Sequence, residues 1–184
     1  KQVYDDPNFV KADPRRKLIK STIYGRLFGS GVRKMAETAG VSFEIMQAVN
    51  KSLDDTYPGI RTYQKELEKE IEDRAKISGE YYVTTEVTGR RIPVDKDKIY
   101  AGVNYTIQSS AAEVFKTNLT KIDAAGLGEY LVVPVHDEVV LSIPEDIAAE
   151  AAITIKECMT TTERWSIPLT GDVSKTMRRW GDKY

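Results

Sequence analysis

The chain has 184 residues, 41% hydrophobic and 30% charged, with a formal net charge of −1 at pH 7. That length suits one domain, or one domain with an appended subdomain, and the composition is that of a globular rather than a disordered protein. No apolar run approaches the ~18 residues of a membrane span, the polar N-terminal stretch does not read as a signal peptide, and the single cysteine, Cys158, excludes an internal disulfide framework. A reducing, cytoplasmic setting is the expectation.

The charge is unevenly spread. Between Lys11 and Lys34 the bases Lys11, Arg15, Arg16, Lys17, Lys20, Arg26, Arg33 and Lys34 face one acid, Asp13. Coulomb attraction reaches over a Debye length of ~8–10 Å, so the run is a candidate phosphate site. A solvated helix face is the commoner fate of such a run.

In chain order, Asp13-Pro14 pairs an N-cap residue with proline at the first helical position and starts a helix running to about Phe28. Gly29-Ser30-Gly31 stops it. A short helix over Val32–Ala39 ends at Gly40, and Ser42 caps a third over Phe43–Thr56. From Pro58 an amphipathic helix reaches Ile77, with Ile60, Tyr63, Leu67 and Ile71 on one face. Tyr81–Val87 and Arg91-Ile92-Pro93 read as a hairpin about Thr88-Gly89-Arg90. A second long helix is expected from Asp97 to about Ala125. Two short apolar strands follow, Tyr130–Val135 and Glu138–Ile143, separated by His136-Asp137. Pro144 opens a helix over Glu145–Thr162, and Ile167–Val173 is the last expected strand. The first half is nearly all helix and the second mixes strands with helices, an α+β pattern.

Arg16, Lys20, Tyr24 and Phe28 recur every four residues and so share one slowly drifting stripe of the first helix. Two cations at its N-terminal end suit a triphosphate, where the helix dipole adds partial positive charge. One turn on, an aromatic ring can stack on a base, worth ~1–3 kcal/mol. Gly25 beside it would let a base pair approach the backbone closely. Taken alone, such a stripe is more often one of core aromatics with snorkelling cations.

These residues, Arg16, Lys20, Tyr24-Gly25 and Phe28-Gly29, resemble motif B, the O-helix of family A DNA polymerases. The resemblance implies that Arg16 and Lys20 grip the phosphates of an incoming nucleotide, Tyr24 packs on its base and sugar, and Phe28 guards the template side. Tyrosine at the Tyr24 position goes, in the family, with poor discrimination against dideoxynucleotides. Phe28 replaces a commoner tyrosine.

The chain's one histidine lies in Val135-His136-Asp137-Glu138-Val139. Adjacent acids at a tight turn repel each other and invite a cation or a strong donor. Hard carboxylate oxygens are what Mg²⁺ takes alongside substrate phosphates. An acidic solvated turn is the plainer alternative. The segment is similar to family A motif C, which implies Asp137 as a metal-binding catalytic carboxylate, Glu138 as a supporting acid and His136 as a contact to the primer end. Asn104 and Gln108, followed by Ser109-Ser110-Ala111-Ala112, match the family's palm helix that reads the minor groove, where amides sense pair geometry without reading sequence. Tyr100 stands one turn earlier, where the family usually has arginine. Arg90 and Arg91 match the family's preceding hairpin and would touch DNA phosphate.

The resemblance spans Arg15 to Tyr184 and implies helical fingers over residues 1–79 and, over 80–184, a distal palm with a small antiparallel sheet. It implies a DNA-directed DNA polymerase, a nucleotidyltransferase working by two-metal phosphoryl transfer. Its partners would be primer–template DNA and deoxynucleoside triphosphates, its cofactor two Mg²⁺ ions in the complete enzyme. Tyr24 is more phage-like than bacterial, which would make the host cytoplasm its location. The second catalytic aspartate, in motif A, has no counterpart before Lys20. These residues are therefore expected to be inactive until a segment carrying motif A and the thumb joins them, on the same polypeptide or a second chain. A non-catalytic DNA- or nucleotide-binding module that keeps the motifs is the alternative.

Overall fold

The computed structural model describes residues 15–162, 164–174 and 176–183. The expected helix start at Asp13-Pro14 therefore lies outside the described residues. Six α-helices are present among them: α1 Arg15–Leu27, α2 Val32–Ala39, α3 Phe43–Thr56, α4 Pro58–Ser78, α5 Gly102–Ile122 and α6 Ala148–Cys158. Four strands, β1 Tyr82–Thr84, β2 Arg91–Pro93, β3 Leu131–Val135 and β4 Glu138–Leu141, form two separate two-stranded antiparallel sheets. The expected α+β class holds. The chain divides into two compact units, one reaching Gln108 and the other beginning at Ser109. No helix among the described residues is long and apolar enough to cross a membrane.

In the first unit the punctuation of the sequence sets the helix ends. Gly40 takes up the left-handed conformation after α2 at φ 67°, and Gly79 does the same after α4 at φ 76°. The Ser42 hydroxyl accepts from the Ile45 N–H at 3.3 Å and starts α3. Backbone N–H donation within Glu44, then the Ser42 hydroxyl, holds the Glu44 carboxyl below its usual range. Met35, Ala36 and Met46 bury one small core between α2 and α3. A second core joins Leu67 and Ile71 of α4, Val83 of β1, Val94 just after β2, and Val103 of α5. Ile71 and Val83 are fully buried, each worth about 1.5–3 kcal/mol relative to exposure.

The long helix expected from Asp97 is broken. Lys96–Ala101 is a 3₁₀ turn, kinked at Lys98, and the α-helix begins only at Gly102. The Asp95 carboxylate accepts from the Asp97 N–H and favours the tighter turn. Gly102 is where α5 meets α4 and β1: a Cβ there would lie 2.5 Å from Ile71 Cδ1 and 3.2 Å from Val83 Cγ1. Gly102→Ala is expected to lose ~1–3 kcal/mol by overpacking despite alanine's better helix propensity. Chemical denaturation with an unchanged m-value would register it.

In the second unit β3 and β4 pair around a two-residue turn, with Val135 opposite Glu138 and Pro134 opposite Val139. Their apolar side chains pack with Ile122, Leu127, Ala151 and Ile155. Two expectations fail here. The helix after Pro144 starts at Ala148 rather than Glu145, because i→i+3 bonds from Ile147 to Pro144 and from Ala148 to Glu145 form a turn first. It stops at Cys158, before the Thr160–Thr162 run. The strand expected over Ile167–Val173 reduces to one bridge, Leu169 with Thr161. Pro168 has no N–H to give, and the Gly171 N–H is taken by the Thr160 hydroxyl at 3.2 Å.

Candidate functional site

The face of α1 predicted from four-residue spacing exists. Lys20 Nζ lies 5.5 Å from the Tyr24 ring centroid, and the Tyr24 and Phe28 rings stack with centroids 6.0 Å apart and planes 8° apart. Arg16 and Lys20 are exposed, Tyr24 is 47% exposed, and Phe28 is half-buried. A large ring left that open gains little from burial, so it remains available to stack on something else.

The surroundings of α1 hold this face in place. Gly25 would cost about 0.5–1 kcal/mol as a helix-interior residue. A Cβ there would sit 2.8 Å from Met35 Sδ, so the glycine allows the close approach of α2. At the C-terminal end Ser30 N–H donates to Gly25 O at 2.8 Å and Gly29 N–H to Arg26 O, with Gly29 at φ 77°. Gln64 of α4 donates from Nε2 to the carbonyls of Arg26 and Leu27, at 3.0 and 2.9 Å. Arg26 in turn donates to Asp54 of α3 at 2.7 and 2.9 Å and to Gln64 Oε1 at 3.0 Å. Orphan carbonyls and a 14%-exposed guanidinium are thus satisfied together. Sequence spacing gave no hint of this clamp.

Tyr100 belongs to the 3₁₀ turn before α5, and its ring packs on Gly29 at the end of α1. Where the family usually has an arginine, this chain has a packing contact. Asn104, half-buried, and Gln108, exposed, lie four apart on α5. On the β1–β2 hairpin, Arg90 and Arg91 are exposed. The Arg91 guanidinium lies 4.7 Å from the Tyr82 ring centroid.

In the second unit the carboxylate turn forms as expected. His136 takes φ 56°, the only positive φ of a non-glycine among the described residues. A two-residue hairpin needs a positive φ at its first position, usually supplied by Asn, Asp or Gly. Histidine there stores backbone strain of about 1–2 kcal/mol, a cost that concentrates at functional sites. Asp137 is exposed and Glu138 half-buried. Trp180 Nε1 donates to Glu138 Oε1 at 3.1 Å, across 42 residues of sequence. That partner was not foreseen; no local pattern encodes it. Among the described residues no group of three or more His, Cys, Asp or Glu side chains is arranged to hold a metal.

Residues 2–182 match the sequence profile of DNA polymerase family A. The chain is 35% identical over 177 residues to the DNA polymerase of Mycobacterium phage D29, covering 96% of this chain and 28% of that protein. It is 34% identical to the DNA polymerase of Mycobacterium phage L5, with 92% and 27% coverage. DNA polymerase theta of Caenorhabditis elegans is 31% identical, with 91% of this chain and 11% of that protein covered. The chain thus spans little more than a quarter of the phage proteins it matches. Among solved structures, the POL domain of Pol1 from M. smegmatis, in complex with DNA primer-template and dNTP, superposes with a TM-score of 0.70 at 24% identity, over 86% of this chain and 30% of that one. With its profile matched almost end to end and phage relatives above 30% identity, the chain belongs to DNA polymerase family A.

Proposed function

We propose that this chain works in template-directed DNA synthesis, adding deoxynucleoside triphosphates to a primer 3′ end by phosphoryl transfer. In this reading, residues 1–79 act as fingers and 80–184 as distal palm. Arg16 and Lys20 engage the triphosphate, while Tyr24 and Phe28 stack against the base pair being formed. Asn104, Gln108, Arg90 and Arg91 follow the primer–template duplex, and His136 meets the primer end. Asp137, supported by Glu138, is the chain's catalytic carboxylate. The observation that carries the reading is the order along α1: exposed cations first, then two parallel rings.

The donor chemistry of the hairpin fits part of a magnesium seat. Asp137 and Glu138 are hard oxygen donors side by side, and the ligands they lack would come from substrate phosphates, water and the motif A acid. Bound there, magnesium would neutralise charge on the attacking and leaving oxygens. The protein residues hold the seat and orient the nucleotide. Motif A is not among these 184 residues, so synthesis requires a segment that carries it, in the same polypeptide or in a partner.

Lys20→Ala tests the nucleotide reading. Losing one charge-assisted contact to phosphate removes ~1.5–3 kcal/mol, which corresponds to a dNTP KM raised about 10- to 100-fold. Steady-state primer extension with a motif A-bearing segment present would measure it. An unchanged KM rejects the role of α1. Salt-sensitive DNA binding with no incorporation under any complementation would instead identify a non-catalytic binding module.

A further inference from the structure

Trp180 begins a short 3₁₀ turn, Trp180–Lys183, near the end of the chain, and its indole N–H reaches Glu138 Oε1 at 3.1 Å. The ring is 44% exposed, so burial alone gives it little reason to sit there. Glu138 is the first residue of β4 and closes the turn opposite Val135, directly after Asp137. Its side chain has three rotatable bonds, and a second carboxylate next to it favours any rotamer that separates the two charges. A hydrogen bond from a neutral donor opposes that drift, and the indole adds no positive charge to cancel the carboxylate's own. The backbone beneath is already strained at His136, so the turn has little freedom of its own to correct a misplaced side chain.

We propose that Trp180 is a positioning residue for the carboxylate hairpin, fixing the Glu138 carboxylate beside Asp137 through the indole N–H. The inference rests on the proposed role of that hairpin in phosphoryl transfer. Trp180 does not touch the substrate; it acts through Glu138.

The test uses this chain together with the motif A-bearing segment, in the same polypeptide or as a partner, and single-nucleotide primer extension. Trp180→Phe keeps a six-membered aromatic ring and removes the N–H donor with the five-membered ring that carries it. Its kcat is expected to fall about 10- to 100-fold, the range for losing an outer partner of a catalytic ligand, with the dNTP KM and melting temperature unchanged. In a Glu138→Ala background, Trp180→Phe is expected to add nothing further, because the acceptor is already gone. A readout independent of activity comes from the indole itself. Trp165 and Trp180 are the two tryptophans of these 184 residues, so in the 184-residue chain by itself Trp165→Phe leaves only Trp180 emitting. Adding Glu138→Ala should then redden its emission and increase its quenching by acrylamide. Unchanged kcat in Trp180→Phe, or an equal loss with and without Glu138, overturns the inference. If Asp137→Ala is inactive in the same assay, the reading of the hairpin survives that failure. Full activity of Asp137→Ala removes the hairpin's role and the inference with it.

Discussion

Asp137→Ala is expected to lower nucleotide incorporation by about 10²–10³-fold or more, the loss typical of one preorganised group that stabilises transition-state charge. Each factor of ten is about 1.4 kcal/mol of barrier, so one carboxylate is assigned ~3–4 kcal/mol of catalysis. The substitution should leave the fold almost untouched. Asp137 is exposed at the turn, and changes at such positions stay within about ±0.5 kcal/mol. Affinity for primer–template DNA should hold or rise slightly, because a negative charge has been removed. Single-turnover incorporation in the presence of a motif A-bearing segment, together with a thermal melt, separates the two effects. Full activity in the variant would refute the assignment of the catalytic carboxylate.

Gly29→Ala is the second large effect, this time on stability. At φ 77° an L side chain costs about 1–2 kcal/mol relative to glycine. The added Cβ would also lie 2.8 Å from Tyr100 Cδ2, closer than van der Waals contact allows, and overpacking of that kind adds ~1–3 kcal/mol. Together the loss is about 2–5 kcal/mol, measurable by denaturant titration. A double-mutant cycle divides it: in a Tyr100→Ala background the same substitution should cost only the backbone part. Equal losses in both backgrounds would mean that the ring yields freely and that conformation alone demands the glycine. Since Gly29 closes α1, Gly29→Ala should weaken nucleotide binding as well.

Much of the fold was legible because glycine, proline and serine punctuate it. Gly40, Ser42, Pro58 and Gly79 each stand where a helix begins or ends, and each acts through its own backbone or hydroxyl chemistry rather than through distant contacts. The stripe on α1 was legible for a similar reason: helical spacing alone brings Lys20, Tyr24 and Phe28 together. Features that depend on tertiary packing were not. Gly102 looked like one more residue in a long helix, yet it is the first residue of α5 and sits where an added Cβ would strike Ile71 and Val83. Apolar residues in Ile167–Val173 suggested a strand, but Ile167 is 74% exposed and only Leu169 finds a backbone partner. The Gln64 clamp and the Trp180 contact join residues about forty positions apart, and no periodicity in a single chain marks such pairs.

Pro134 gives the small sheet of the second unit a direction of growth. It sits opposite Val139, next to the pair that closes a two-residue turn, where backbone groups face away from the partner strand. The outward row of β3 therefore lacks a donor midway, and the irregularity between Leu131 and Val133 disturbs it again. No residue of β4 is a proline, so its outer row keeps every N–H and carbonyl. A third strand laid against this sheet obtains an unbroken ladder only alongside Glu138–Leu141, on the far flank from Pro134.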